Sequence, residues 1–319
     1  MNGTTTNGKS TADWPCLLCK ETRGEIVSQL TGRQLRELWK HSGHEFSNAG
    51  LGKITKDFTV FLKRCAGCGF VSSDPSLAGG EQFYHELENV NYFSSTRQEF
   101  VRTIKFAQKH NLKRVLDVGC GTGIFLDQAR QAGLQTHGLE LNKAVAAVAR
   151  SEGHDIFGGL LDELAKRPDS PKFELITFNQ VVEHLADPVK VLKDAAALLT
   201  PNGYISVAVP SAEGVYRLVP WDPSQWPPHH VSRWRIADFE QLSRVLGLKL
   251  ADRGGDQLMG SELEFFWKMH NRLAGIVGDS PYWGGDKMAR FSSLVYRKTG
   301  MKYIFSNSGS SIYGFFGKA

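Results

Sequence analysis

The sequence predicts an α/β protein: a mostly parallel sheet covered on both faces by helices, preceded by a small cysteine-paired module. Three observations predict it. From Arg114 onward, short apolar strands alternate with amphipathic helical stretches, the rhythm of a parallel sheet with crossover helices. A glycine turn, LDVGCGTGIFL over 116–126, joins the first strand of that series to the first helix. Two C-x-x-C pairs, Cys16 with Cys19 and Cys65 with Cys68, lie ahead of it.

Taken in order, residues 1–12 (MNGTTTNGKSTA) read as a disordered lead. Residues 13–77 hold both cysteine pairs, many glycines and few long apolar periods. Residues 78–110 read as a helical connector, with Phe100, Val101, Ile104 and Ala107 on one side. RVLDV (114–118) is a buried strand, and the helix after the turn carries Ile124, Phe125, Leu126 and Ala129. QTHGLE (135–140) is the next strand. Asn142 can cap a helix that turns Val145, Val148 and Ala149 inward. FELITF (173–178) reads as a strand buried on both faces. Asp187-Pro188 gives a cap and a proline at the first helical position. That helix is lined by Val191, Leu192, Ala195, Leu198 and Leu199 and stops at Pro201-Asn202-Gly203. YISVAVP (204–210) follows as a strand.

After Pro210 the rhythm breaks. Residues 211–235 are rich in Trp, Pro and His and resemble an active-site loop more than a linker. A helix (236–246) and a strand (248–252) resume the sheet. Residues 256–300 hold an aromatic helix with Phe265, Phe266, Trp267 and Met269, expected to serve packing, and IYGFFGK closes the chain as a strand. The main domain is thus 111–319, with insertions at 211–235 and 256–300.

With 41% hydrophobic and 22% charged residues, the composition is that of an ordinary globular protein. The net charge of +5 is spread along the chain, which gives mild support for an anionic substrate and little for nucleic acid. No apolar run reaches the length of a membrane span, and residues 1–12 lack the apolar stretch of a signal peptide. Five cysteines in 319 residues are no disulfide scaffold, so a reducing, cytoplasmic setting is expected.

The glycine turn carries the chemistry. Gly119, Gly121 and Gly123 let the backbone turn with positive φ and let a ligand approach the main chain closely. The following helix offers unpaired N–H groups there. Glu140 ends the next strand, where an acidic group meets ribose hydroxyls. Such a constellation binds a nucleoside-containing cofactor. The spacing G-x-G-x-G, with Asp117 just before it, departs from the dinucleotide pattern G-x-G-x-x-G. A carboxylate at the strand tip serves the amino group of S-adenosylmethionine better than a pyrophosphate.

LDVGCGTG resembles the first motif of the class I S-adenosylmethionine-dependent methyltransferases. HGLELN, FELITFNQVVEHLADP and VLKDAAALLTPNGYISVAVP resemble their later landmarks in the same order. The resemblance implies a Rossmann-like seven-stranded methyltransferase sheet and methyl transfer; the polar, aromatic 211–235 loop suits a small polar acceptor such as a nucleotide-linked sugar, and would also suit a phenol or a lipid headgroup. The resemblance places the methionine part of S-adenosyl-L-methionine on Asp117 and the backbone of Gly119 and Gly121. Glu140 would take the ribose, Leu141 would lie by the adenine, and Asn179 or Gln180 would face the sulfonium side. Cys120 would line the cofactor as a small residue. Quinone O-methyltransferases carry a further glutamate three positions before a Glu-His pair like Glu183-His184 and can bind a divalent metal. Here that position is Gln180, so Glu183-His184 is expected to shape the pocket or cap the turn.

Each C-x-x-C pair can form a knuckle presenting two thiolates, and two knuckles complete a closed tetrahedral zinc site. A closed shell makes the zinc structural; spare thiols or redox pairs are the alternatives. CLLC, RCAGCGFV and the run to NYF are similar to a bacterial methyltransferase group with a zinc-binding N-terminal module, which includes sugar C-methyltransferases. The spacer between the pairs is this chain's own, and His41 and His44 within it are alternative ligands. The remaining alternatives are a zinc-ribbon-like recognition protein that binds without catalysis and an NAD-dependent enzyme.

The acceptor's proton needs a base. WPPHHVSRW (226–234) lies after the fifth strand, at the carboxyl edge of the sheet where ligands bind. It offers His229 and His230, with side-chain pKa values naturally near neutrality. His230 is the first candidate for general base, His229 the second, and Tyr92 is the reserve for substrate contact. The bland alternative is that a histidine caps the next helix or packs on Trp234, with consecutive side chains pointing opposite ways.

Overall fold

The computed structural model describes residues 13–87, 97–258, 269, 273, 276–277 and 309–318. The chain opens with an antiparallel pair, β1 (Gly24–Thr31) and β2 (Thr59–Cys65), which encloses α1 (Gly32–His41) and α2 (Asn48–Leu51). Thr31 caps α1 in a capping box with Gln34, so Leu35, Leu38 and Trp39 fall on the buried side. β3 (Val71–Ser72), α3 (Glu81–Leu87) and α4 (Gln98–Lys109) follow.

The large sheet then builds from β4 (Arg114–Val118), β5 (Gln135–Glu140), β6 (Asp155–Gly158), β7 (Phe173–Asn179) and β8 (Leu199–Pro210). Its crossovers are α5 (Ile124–Gln131), α6 (Lys143–Ser151), α7 (Leu161–Lys166) and α8 (Pro188–Ala197). Asn142 caps α6 and Asp187 caps α8. β9 (Ser232–Arg233), α9 (Asp238–Leu246), β10 (Lys249–Gly255) and β11 (Ser311–Gly317) complete the described elements.

The order of the seven-stranded sheet is β10-β11-β8-β7-β4-β5-β6. β11 runs antiparallel between β8 and β10; the other neighbouring pairs are parallel. The chain leaves β4 toward β5 and β6, then crosses back to β7 on the other side of β4. The carboxyl end of β4 is therefore the switch point at which open α/β sheets bind ligands. Side chains alternate between two cores. Leu116, Val118, Ile176 and Phe178 meet α7, α8 and α9 on one face. Val115 and Leu175 meet α4, α5 and α6 on the other.

Two helical faces differ from expectation. Val101 is 42% exposed, because α4 buries Phe100, Thr103, Phe106 and Ala107, a stripe one residue away. Val148 is 48% exposed, because α6 approaches the sheet through the small Ala146 and Ala149. The strand expected at 204–210 begins at Leu199, with a register shift against β7 that takes up Pro201-Asn202-Gly203.

Residues 211–235 fold back onto the N-terminal part. β9 pairs with β3, closing a second sheet of order β1-β2-β3-β9. Val215, Val219, Trp221 and Trp226 share a core with Leu35, Trp39, Phe46 and Phe83. Met269 packs on that core, while Phe265, Phe266 and Trp267 lie outside the described residues, as do residues 1–12. Among the described residues, no helix is long and apolar enough to cross a membrane.

Candidate active site

Asp117 sits near the end of β4 and is buried because helices cover both faces of that strand. From neighbouring β7, Thr177 Oγ1 donates to Asp117 Oδ1 at 2.6 Å and Asn179 Nδ2 donates to the same oxygen at 3.0 Å. Burial pushes the Asp117 carboxyl up to about 7; the two hydrogen bonds pull it back, Glu140 raises it further and Arg97 lowers it. Thr177 is not among the residues the sequence singles out; its signal there is a hydroxyl within the apolar run LITF, 175–178.

Beyond β4 the turn takes left-handed backbone at Gly119 (φ +73°), Gly121 (φ +57°) and Gly123 (φ +93°). A Cβ on Gly119 would stand 2.7 Å from Val181 Cγ2, and one on Gly123 2.6 Å from the His154 ring. Glu140 braces this turn: Oε2 accepts from Gly121 N at 3.0 Å and Oε1 from Asn142 N at 2.9 Å. The turn, Arg97, Phe100, Asp117, Cys120, Asn179 and Gln180 line one cleft. Burial raises the Cys120 thiol, which is held neutral. Leu141 stands 59% exposed just beyond Glu140.

Asn179 Oδ1 is buried in this cleft with no hydrogen-bond partner. It and the Asp117 carboxyl form a pair of acceptors suited to an ammonium group, so the residues present fit S-adenosylmethionine. Gln180 turns away from that pair. It holds φ +59°, and its Nε2 donates to Glu99 Oε1 at 3.2 Å and Ser311 Oγ at 3.1 Å.

Past β7 the chain makes a 3-10 turn, Val182–His184, against the histidine loop. Glu183 O accepts from Val231 N at 3.0 Å, which ties turn and loop together. His184 Nδ1 lies 2.7 Å from His229 O, and His229 Nδ1 lies 2.9 Å from Ser224 O. A carbonyl only accepts, so both Nδ1 atoms carry the proton and each neutral ring keeps its lone pair on Nε2. The His229 and His230 rings stack at 4.4 Å and 18°, not on opposite sides, because both amides turn back to Trp226 O in a tight bend. Trp234 packs instead on Phe70 and Phe239. Burial holds His184 down at about 4 and His229 and His230 well below their ordinary value. Glu183, 1% exposed, is pushed up to about 8 by burial. Arg97 acts on both Glu183 and Asp117, which connects this cluster to the cleft. Tyr92 lies outside the described residues.

The four thiols of Cys16, Cys19, Cys65 and Cys68 gather within 4.8 Å of one another. Cys16 and Cys68 sulfurs are 3.6 Å apart, Cys19 and Cys65 sulfurs 3.4 Å. A tetrahedral shell with Zn–S of about 2.3 Å has an edge of about 3.8 Å, so the spacing fits zinc. The two knuckles repeat one design. Lys20 and Gly69 follow the second cysteine of each pair with φ +63° and +75°, and each donates its N–H to the first cysteine's carbonyl. His41 Nδ1 lies against Glu37 O, and His44 meets Trp39 edge-on and stacks on Phe46, so neither belongs to this group.

A family model described as a methyltransferase domain matches residues 91–252. A ubiquinone biosynthesis O-methyltransferase of Marinobacter nauticus is 29% identical over 133 residues, 36% of this chain and 56% of that protein. The protein of that name from Hahella chejuensis is 26% identical over 181 residues, 50% of this chain and 75% of that one. The match thus spans 56% and 60% of the length of two such relatives. A SAM-dependent methyltransferase from Archaeoglobus fulgidus superposes with a TM-score of 0.48 at 15% identity, over 74% of this chain and all of that one.

Proposed function

The chain belongs to the methyltransferase-domain family, and from that premise we propose that it transfers a methyl group from S-adenosylmethionine to a small polar acceptor. The observation that carries this reading is the pair of buried acceptors at the switch point, the Asp117 carboxyl and Asn179 Oδ1, beside a glycine turn open to a ligand. When bound, the cofactor supplies an electrophilic methyl group.

The chain's own residues bind and orient. Asp117, Asn179 and the backbone of Gly119 and Gly121 take the methionine part. Glu140, already fixed by two amides, offers its remaining lone pairs to the ribose hydroxyls. Leu141 flanks the adenine, Cys120 fills the floor of the turn, and the left-handed Gln180 borders the sulfonium side. Transfer of this kind rests chiefly on holding the acceptor in line and taking up its proton. The imidazoles of His184, His229 and His230 are assigned the acceptor side, with His230 foremost. Arg97 at the cleft favours an acceptor with polar or anionic groups, a nucleotide-linked sugar or another small metabolite. Cys16, Cys19, Cys65 and Cys68 hold a structural zinc that fixes the N-terminal sheet.

Isothermal titration tests the cofactor: S-adenosylmethionine should bind and NAD should not. Mass spectrometry with isotopically labelled cofactor and pools of candidate acceptors then identifies the methylated product. Binding of NAD alone would overturn the reading.

A further inference from the structure

We propose that Glu183 is the proton store of the acceptor side: through His230 it takes up the proton that the methyl acceptor releases. The relay deepens the transfer reaction proposed above and rests on it. Glu183 is buried on the turn after β7, and both of its carboxyl oxygens lack a hydrogen-bond partner. A carboxyl kept in that condition is costly, and a proton brought to it relieves the cost. Its Oε1 stands 3.7 Å from His184 Nε2 and 3.9 Å from His230 Nε2. Three atoms that can each hold a proton thus face one another between the turn and the histidine loop.

The carboxyl lies behind the rings. The Glu183 side chain is 1% exposed, that of His230 6% and that of His184 14%. A proton leaving a bound acceptor therefore meets a ring before it meets Glu183. His184 serves as a fixed wall, since its Nδ1–H is held on His229 O at 2.7 Å. His230 stacks on His229, whose own Nδ1–H is held on Ser224 O, so the ring beside Oε1 is kept in place. Val231 N donates to Glu183 O at 3.0 Å, which pins the loop to the turn that bears the carboxyl. A shift of about 1 Å brings the separations to hydrogen-bond length. Catalytic hydrogen bonds commonly tighten in this way when substrate binds.

Burial decides where the proton rests. It holds His184 and His230 below the ordinary imidazole value, so neither ring keeps a proton at neutral pH. The same burial pushes the Glu183 carboxyl up to about 8. Within the cluster the carboxylate is the stronger base, the reverse of the order in water. Arg97, just ahead of α4, lowers the carboxyl, and Glu99 in the first turn of α4 raises it. His184, His229 and Arg233 bear on His230, and Tyr84 of α3 lies edge-on to His184. The step balances. The acceptor gains the methyl group, sulfur keeps the electron pair of the broken carbon–sulfur bond, and the acceptor's proton passes to His230 Nδ1. His230 Nε2 gives its own proton to Glu183 Oε1, and the ring ends neutral. Glu183 acts through His230 and is a positioning residue of the reaction.

Proton uptake can be followed without any acceptor, by carbon NMR of the full chain labelled at the glutamate carboxyl carbons. The signal that Glu183→Gln removes should titrate near pH 8. The ring signals of His230 should move with it in the wild type and not in the variant. With the acceptor found by labelled-cofactor mass spectrometry, kcat should rise with pH through the same midpoint, because only the ionised carboxyl takes up a proton. Glu183→Gln should lose that step and lower kcat at least about tenfold, with KM and S-adenosylmethionine affinity near normal. Glu183→Asp should recover part of the loss. Gln keeps the shape without the buried charge, so its melting temperature at about pH 9 should be unchanged or higher, which separates lost chemistry from lost fold. A Glu183 signal that titrates in the ordinary range near about 4, or full turnover in Glu183→Gln, overturns the relay and leaves the transfer reaction standing. A chain that shows the titration but methylates no acceptor would sink the transfer reaction, and the relay with it.

Discussion

Asn179 donates its Nδ2 to Asp117 Oδ1 at 3.0 Å, while its own Oδ1 lies buried without a partner. One amide thus fixes the carboxyl and presents a second acceptor beside it. Asp117→Asn removes the charge and keeps the shape. Since a hydrogen bond to a charged group contributes about 1.5–3 kcal/mol, S-adenosylmethionine affinity should fall at least about tenfold. Without cofactor, the melting temperature at pH 8 should be unchanged or higher, because the variant no longer buries a carboxylate. Calorimetric titration and thermal melts check the two halves; an unchanged affinity would remove Asp117 from the site.

The same carboxyl sets a pH dependence. Its pKa is raised from 3.8 to about 7, so the folded chain binds more protons than the unfolded one between those values. Its contribution to stability is therefore greatest in acid and declines as pH rises toward about 7. Binding of a cationic cofactor runs the other way, because only the ionised carboxyl pairs with an ammonium. The groups facing it are Thr177 and Asn179 from β7, Glu140 from β5, Cys120 in the turn and Arg97 ahead of α4. With the carboxyl at about 7, affinity at pH 6 should be about tenfold weaker than at pH 8. Asp117→Asn should show a flat profile. A flat wild-type profile would mean that the pair forms with some other group.

Much of this was legible in the sequence because its determinants are local. The glycine turn, the cap residues Asn142 and Asp187 and the period-two strands each depend on neighbours a few positions away. The cysteine spacing is local within each knuckle, so the two pairs could be read as one cluster. What stayed hidden is tertiary. Nothing near Trp39 or Phe83 announces that they pack with Trp221 and Trp226 across most of the chain. In the sequence His184 stands out only as part of the Glu183-His184 pair, since its neighbours His229 and His230 arrive by a loop return. The misplaced Val101 and Val148 show the limit of periodicity, which finds an apolar stripe but not which edge of it meets the sheet.

The four-cysteine cluster is bound into the larger fold, which shapes the third prediction. Phe70, just past Cys68, stacks edge-on against Trp234 at 4.9 Å, and β3 pairs with β9. Cys68→Ser should lower zinc content by about one equivalent per chain. Since metal binding is folding free energy for such a module, protease cleavage should appear first within residues 13–77. Through Trp234 the loss should also reach the histidine loop and lower the melting temperature of the whole chain. Metal analysis and timed proteolysis with mass mapping check this. Full zinc content in the Cys68→Ser protein would break the assignment.

His229 stands where the N-terminal part, the histidine loop and the turn after β7 meet, within ring contact of Trp39, Phe83, Tyr84, His184 and His230. Its burial and that of His230 favour neutral rings, the form that can accept a proton. In the proposed reaction the cluster serves the acceptor side, while Asp117, Asn179 and the glycine turn would hold the cofactor. His230→Ala should therefore lower kcat by about 10²–10⁴-fold while S-adenosylmethionine affinity stays near normal. His229→Ala removes a ring that also packs on Trp39, so it should lower both turnover and melting temperature. Turnover with the identified acceptor, cofactor titration and melts separate these effects. If both variants keep full turnover, the cluster does not act on the acceptor, and positioning within the cleft by Arg97 and Gln180 must suffice.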